Sequence, residues 1–173
     1  LCMALLYPYD IADQRYRVSE KSPTELKAIG KPKQTTHWEL IPTVRVCTDS
    51  GVSVSRTTRA LSYWERHGYE FGTVRGDPYS MCMTPKHGEI LITIPDNTFD
   101  VKHMASTRLY TDTKTGKIVR AKIQILPHNA RRERVLEHEI GHALGWAHYK
   151  QRYHIMHPDW RYGGYDSYGI RKR

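Results

Sequence analysis

Acidic side chains are in short supply: 18 Asp and Glu stand against 27 Lys and Arg, a net charge of +9 over 173 residues. Such a balance permits contact with nucleic acid, anionic glycans or acidic surfaces through counterion release, or a plain solvated basic surface. No RRM, zinc-finger or helix-turn-helix signature accompanies it, so nucleic-acid binding rests on charge alone. Only three cysteines are present, Cys2, Cys47 and Cys82, without a CxxC spacing, which removes support for a cysteine-based zinc or redox motif. A Cys47–Cys82 bridge with Cys2 left over is compatible with an oxidising compartment, and the sequence leaves that pairing open. No stretch approaches the roughly 20 apolar residues that span a bilayer, so no transmembrane segment is expected. There are two Phe, but 12 Tyr and 4 Trp supply aromatic packing in their place. With a mean hydropathy of -0.66, one folded domain with long irregular stretches is expected.

Residues 1–40 carry no sustained hydrophobic period and contain Lys21-Ser22-Pro23 and Gly30-Lys31-Pro32-Lys33, so they read as an extended arm or pro-segment ahead of one domain over 41–173. The apolar opening Leu1–Tyr7 reads as a signal-peptide remnant or as a short strand. From Pro42 the pattern changes. Thr43-Val44-Arg45-Val46-Cys47 alternates like a half-buried strand, and Val54, Leu61 and Trp64 mark a helix over 53–67 with Ser53 or Ser55 as cap and Gly68 as stop. Strands are expected over 69–74 and 89–94. A hairpin follows, pairing 107–112 with 117–126 around Thr113-Lys114-Thr115-Gly116. The second helix is expected over 131–144, closed by Gly145, with an irregular Tyr- and Gly-rich tail after it. There is no internal repeat and no low-complexity tract.

That second helix carries the chemistry. His138-Glu139-Ile140-Gly141-His142 sets two imidazoles one helical turn apart on one face, where both reach a single ion. Glu139, beside the first of them, is placed to take a proton from an activated water and return it to a leaving amine. An HExxH alone occurs by chance in about 2% of chains of this length, counting uniform residue frequencies. Here it continues through Gly145 to His148, and HExxHxxGxxH cuts that chance to on the order of 0.01% or less. His148 cannot face the ion from a continuing helix, and Gly145 tolerates the left-handed conformation of a sharp turn. Three neutral His ligands leave a fourth position open, the arrangement of catalytic rather than structural zinc.

His138 to His148, with Met156 eight residues later in His154-Ile155-Met156-His157-Pro158, resembles the metzincin zinc metallopeptidases, most closely their matrixin-like branch. The resemblance spans about 42–160 and is specific over 131–158. It implies an α+β zincin fold: a twisted, mostly parallel sheet with an antiparallel edge strand, an active-site helix, and a minimal C-terminal subdomain. It implies zinc held by His138, His142 and His148, Glu139 as base, and Met156 as an apolar floor beneath the ligands. It further implies that 117–126 is the edge strand bordering the cleft, pairing with a protein or peptide substrate added as an extended strand. Secretion or another extracytoplasmic place, including attachment to a particle, follows as an expectation.

The astacin- and serralysin-like branches carry Tyr two residues after the methionine; Pro158 stands there, so the likeness to them is poorer. Only 17 residues follow Met156, which leaves little room for the C-terminal helix usual in the family. In related enzymes an N-terminal Cys or Asp can block the metal, which makes Cys2 a candidate inhibitory ligand and Asp10 another. Tyr149, Tyr153 and Tyr162 are candidates for stabilising an oxyanion. His37, His67, His87, His103, His128, His154 and His157 show no diagnostic spacing, so a further structural Zn2+ or Ca2+ has no support in the sequence. A competing class keeps the metal fold as a structural or attachment module of a larger assembly, with the basic arm and the tail as contacts; the catalytic-type Glu139 speaks against it.

Overall fold

The computed structural model describes residues 30–172 and, as backbone, Gln14–Arg17. Expectations for Leu1–Tyr7, Cys2 and Asp10 lie outside the described residues. The elements in chain order are β1 (Gln14–Arg17), β2 (Thr43–Cys47), α1 (Val54–Glu65), β3 (Val74–Asp77), β4 (Glu89–Thr93), β5 (His103–Thr111), β6 (Ile118–Ile125) and α2 (Val135–Ala143). This is an α+β architecture in which six strands form one mixed sheet, ordered β1-β5-β6-β4-β2-β3. The β3, β2, β4 and β6 strands run parallel to their neighbours, β5 lies antiparallel to β6, and β1 pairs antiparallel with β5.

β6 is therefore not the edge strand expected for 117–126. It is bonded on both sides, and Ile118, Ala121, Ile123 and Ile125 are buried along it. Hairpin closure through the Gly116 turn makes β5 the reversed strand, and the outer edge of β5 carries β1. Alternation in the sequence marks a strand but cannot say which of its edges meets a neighbour.

β2 is buried on both faces. Val44 and Val46 enter the main core, while Arg45, 1% exposed, is balanced by two hydrogen bonds to Glu89 Oε1 at 3.1 and 2.7 Å. Cys47 and Cys82 are disulfide-bonded with Cα atoms 5.8 Å apart, tying the end of β2 to the segment before β4. In α1, Ser53 Oγ accepts from the Arg56 N–H at 2.9 Å, so of the two serines the sequence offered as cap it is Ser53 that serves. Thr57, Ala60, Leu61 and Trp64 turn inward. The strand expected at 69–74 lies instead at Val74–Asp77. Tyr69 and Phe71 pack on the core from a loop, and their apolar character comes from that packing rather than from a ladder.

α2 begins four residues later than the sequence suggests. Arg134 sits at φ 69°, a left-handed turn that breaks any helix from 131, and the Arg132 and Arg134 guanidinium groups lie 5.1 and 4.6 Å from the Trp160 ring centre. The helix is buried throughout, between α1, the sheet and the irregular segment 145–172. No helix among the described residues is long and apolar enough to cross a membrane.

Candidate metal centre

His138 and His142 face the same way from consecutive turns of α2, and the chain must leave the helix to bring a third imidazole beside them. It does so at Gly145, φ 97°. The Gly145 N–H donates to His142 O at 2.8 Å and the Trp146 N–H to Gly141 O at 3.0 Å, the paired bonds of a Schellman stop. The next carbonyls would be orphaned at this helix end. They are met by residues of the expected N-terminal arm: Trp38 Nε1–H donates to Ala143 O, Gln34 Nε2–H to Leu144 O and the Thr35 N–H to Gly145 O, at 2.8, 2.8 and 2.9 Å. A Cβ at Gly145 would overlap the Thr36 carbonyl, so glycine is required there by close approach as well as by φ.

The result brings His138, His142 and His148 together, with one ligand nitrogen from each lying within 4.8 Å of the others. Ring centres are 4.6 to 5.3 Å apart. The backbone fixes the tautomers of the first two: His138 Nδ1–H donates to Ile155 O and His142 Nδ1–H to Trp146 O, both at 2.7 Å. Each ring thus carries its lone pair on Nε2, with a carbonyl behind it fixing the ring's direction, as suits an imidazole that binds a metal. Burial holds the His138 pKa well below the usual imidazole value, with the charges of His142 and His148 adding to the effect. Burial brings His142 down to about 4, against the opposing Trp146 bond. Both rings are neutral at neutral pH, the form that binds a cation. A triad of neutral, pre-oriented imidazoles can hold a metal ion, and its donor set suits zinc.

Met156 is fully buried under α2, in the turn whose Ile155 carbonyl holds His138. It meets α2 at Gly141, inside the motif but not fixed by it. A Cβ at Gly141 would come within 2.6 Å of Trp64 Cζ2 and would also overlap Met156 Sδ. We expect Gly141→Ala to cost about 1–3 kcal/mol through overpacking and to weaken metal binding by displacing the Met156 turn. Urea unfolding and a metal titration of the variant check this, and unchanged values for both would refute it.

Glu139 is fully buried and points to the sheet side, where Thr107 of β5 meets its carboxylate. Of the tyrosines proposed for an oxyanion role, the Tyr149 hydroxyl donates to Gly30 O at 2.9 Å, Tyr153 is 60% exposed, and the Tyr162 ring lies tilted against His157 with centres 5.9 Å apart. Among the described residues, the His138, His142 and His148 group is the only convergence of three or more His, Cys, Asp or Glu side chains. His154 is a core residue whose Nδ1 accepts from the Met156 N–H and whose Nε2–H donates to Tyr168 O.

Three contributors escaped the sequence reading. Thr107 lies 32 residues from Glu139, and Arg56 lies 81 residues from Glu137, with which it forms a bidentate pair at 2.8 and 2.7 Å. The third is the 33–38 segment. Its polar composition reads as loop, and only the exposed carbonyls at the end of α2 give it a role. No protein-family model, curated protein or solved structure matches this chain.

Proposed function

We propose that the chain is a zinc-dependent endopeptidase of the metzincin type, with a minimal C-terminal subdomain. The observation that carries this reading is the convergence of His138, His142 and His148 around one point, delivered by an HExxH helix that stops at Gly145. A zinc ion held there would supply Lewis acidity, acidifying a water and polarising the scissile carbonyl. The chain supplies the rest. His138 and His142 are held by the Ile155 and Trp146 carbonyls, Met156 packs beneath them, and Glu139 takes the proton of the attacking water and passes it to the departing amine.

Peptide would be captured as an extended strand along β5. What supports this is that the chain's own Gln14–Arg17 already lies antiparallel on that edge, from Gln14 opposite Thr107 to Arg17 opposite His103. A peptide adding there takes the place of β1, so Gln14–Arg17 acts as its competitor. The Cys47–Cys82 bridge suits work outside the reducing cytosol.

The test is metal content together with cleavage of unfolded casein and a mixed peptide library, before and after chelation and after zinc is restored. The full chain is compared with one starting at Gly30, which keeps the 33–38 cap on α2. About one zinc per chain with chelation-sensitive, zinc-restored cleavage is expected. Zinc without cleavage in either form would favour an assembly role; no zinc at all would end the metal reading.

A further inference from the structure

Thr107 is fully buried in the middle of β5, facing α2. Its Oγ1 lies 2.5 Å from Glu139 Oε2 and 3.1 Å from the Glu139 carbonyl oxygen, so both contacts of this hydroxyl are with one residue. A threonine has one proton to give. With Glu139 ionised, Oγ1–H donates to Oε2, the nearer and charged acceptor.

We infer that Thr107 is a positioning residue for Glu139 in the hydrolysis proposed above, on which this inference rests. A group that must both accept and return a proton needs an orientation that survives the change of state. When Glu139 carries the proton on its other oxygen, Thr107 goes on donating to Oε2. When Oε2 carries it, the roles reverse: Oε2–H donates to Thr107 Oγ1, and the threonine proton turns to the Glu139 carbonyl oxygen 3.1 Å away. The hydroxyl serves both states without exchanging its own proton. The proton of the attacking water passes through Glu139 to the amine, and Thr107 ends each cycle as it began. A methyl group in its place would leave a buried carboxylate without this partner in either state.

The contact also joins β5 to the helix. Thr107 is the β5 residue opposite Gln14, at the place where an added peptide would lie. The same residue therefore sets the base and belongs to the strand along which substrate would run.

The variants are Thr107→Val, which keeps shape and branching, and Thr107→Ser, which keeps the hydroxyl. The positioning role predicts that Thr107→Val loses about 10²-fold in kcat, as expected for a misplaced catalytic group. KM and zinc content should stay near wild type, and Thr107→Ser should recover most of the loss. A Thr107→Val enzyme with undiminished kcat overturns the inference, as does a parallel loss of zinc content, which marks a structural tie. A second readout needs no turnover: NMR of the metal-free protein should show a slowly exchanging Thr107 hydroxyl proton that disappears in Glu139→Ala. Its absence from wild type overturns the contact itself. Its presence in a wild-type protein that binds zinc and cleaves nothing overturns the peptidase reading, and the positioning role of Thr107 with it.

Discussion

Glu139→Gln is expected to bind zinc as the wild type does and to lose about 10²–10⁴-fold in kcat, the usual contribution of a positioned general base. The substitution is nearly isosteric, and the Gln carbonyl still accepts from Thr107 Oγ1, so the contact to β5 is preserved. None of the atoms that orient the imidazoles is touched: His138 is held by Ile155 O and His142 by Trp146 O. What disappears is the ability to take a proton. Single-turnover cleavage of a peptide library, with metal content measured on the same samples, separates the two properties. A variant that keeps more than about a tenth of wild-type kcat contradicts the assignment, because removing the base should cost at least 10²-fold.

Arg56→Ala is expected to cost about 3–5 kcal/mol of stability, the range for breaking a buried ion pair by deleting one partner. The Arg56 and Glu137 side chains are 10% and 8% exposed, and the guanidinium holds both carboxylate oxygens. Without it, Glu137 is a buried charge one residue before His138, on the turn of α2 that Trp64 Nε1–H also binds, at the Glu137 carbonyl. Such a loss is a large part of the roughly 5–15 kcal/mol that holds a typical domain. Replacing both partners with apolar residues, as in Arg56→Met with Glu137→Leu, should return most of the stability, since the buried charge goes with its partner. Urea unfolding of the two single variants and the double variant measures this coupling. An Arg56→Ala cost below about 1 kcal/mol would place the pair with surface salt bridges, which contribute little.

The grouping of three histidines was legible because it is local. His138 and His142 are four residues apart on one helix, Gly145 is a glycine where the chain must turn left-handed, and His148 and Met156 follow at fixed distances. The order of elements from β2 onward was legible for the same reason: hydrophobic period and turn chemistry are properties of short windows. Boundaries were less so. Arg134 breaks α2 at a residue with no intrinsic reason to be left-handed, and it does so beside Trp160, 26 residues away.

The sequence by itself determined the HExxHxxGxxH pattern, the α+β order of elements from β2 onward, a serine cap at Ser53 or Ser55 on α1 and the Gly145 stop on α2. Each depends on residues within a turn or two of one another. Only the tertiary structure decided that β5 rather than β6 is the reversed strand with the outward edge, and that β1 lies along it. The same holds for the use of residues 33–38 to close the end of α2, for the Thr107 contact with Glu139 and for the Arg56 pair with Glu137. The physical reason is the same in each case. A buried polar group requires a partner, but its need is set by burial and its partner by whichever segment the packing brings within about 3 Å, and neither is written in the spacing of residues along the chain.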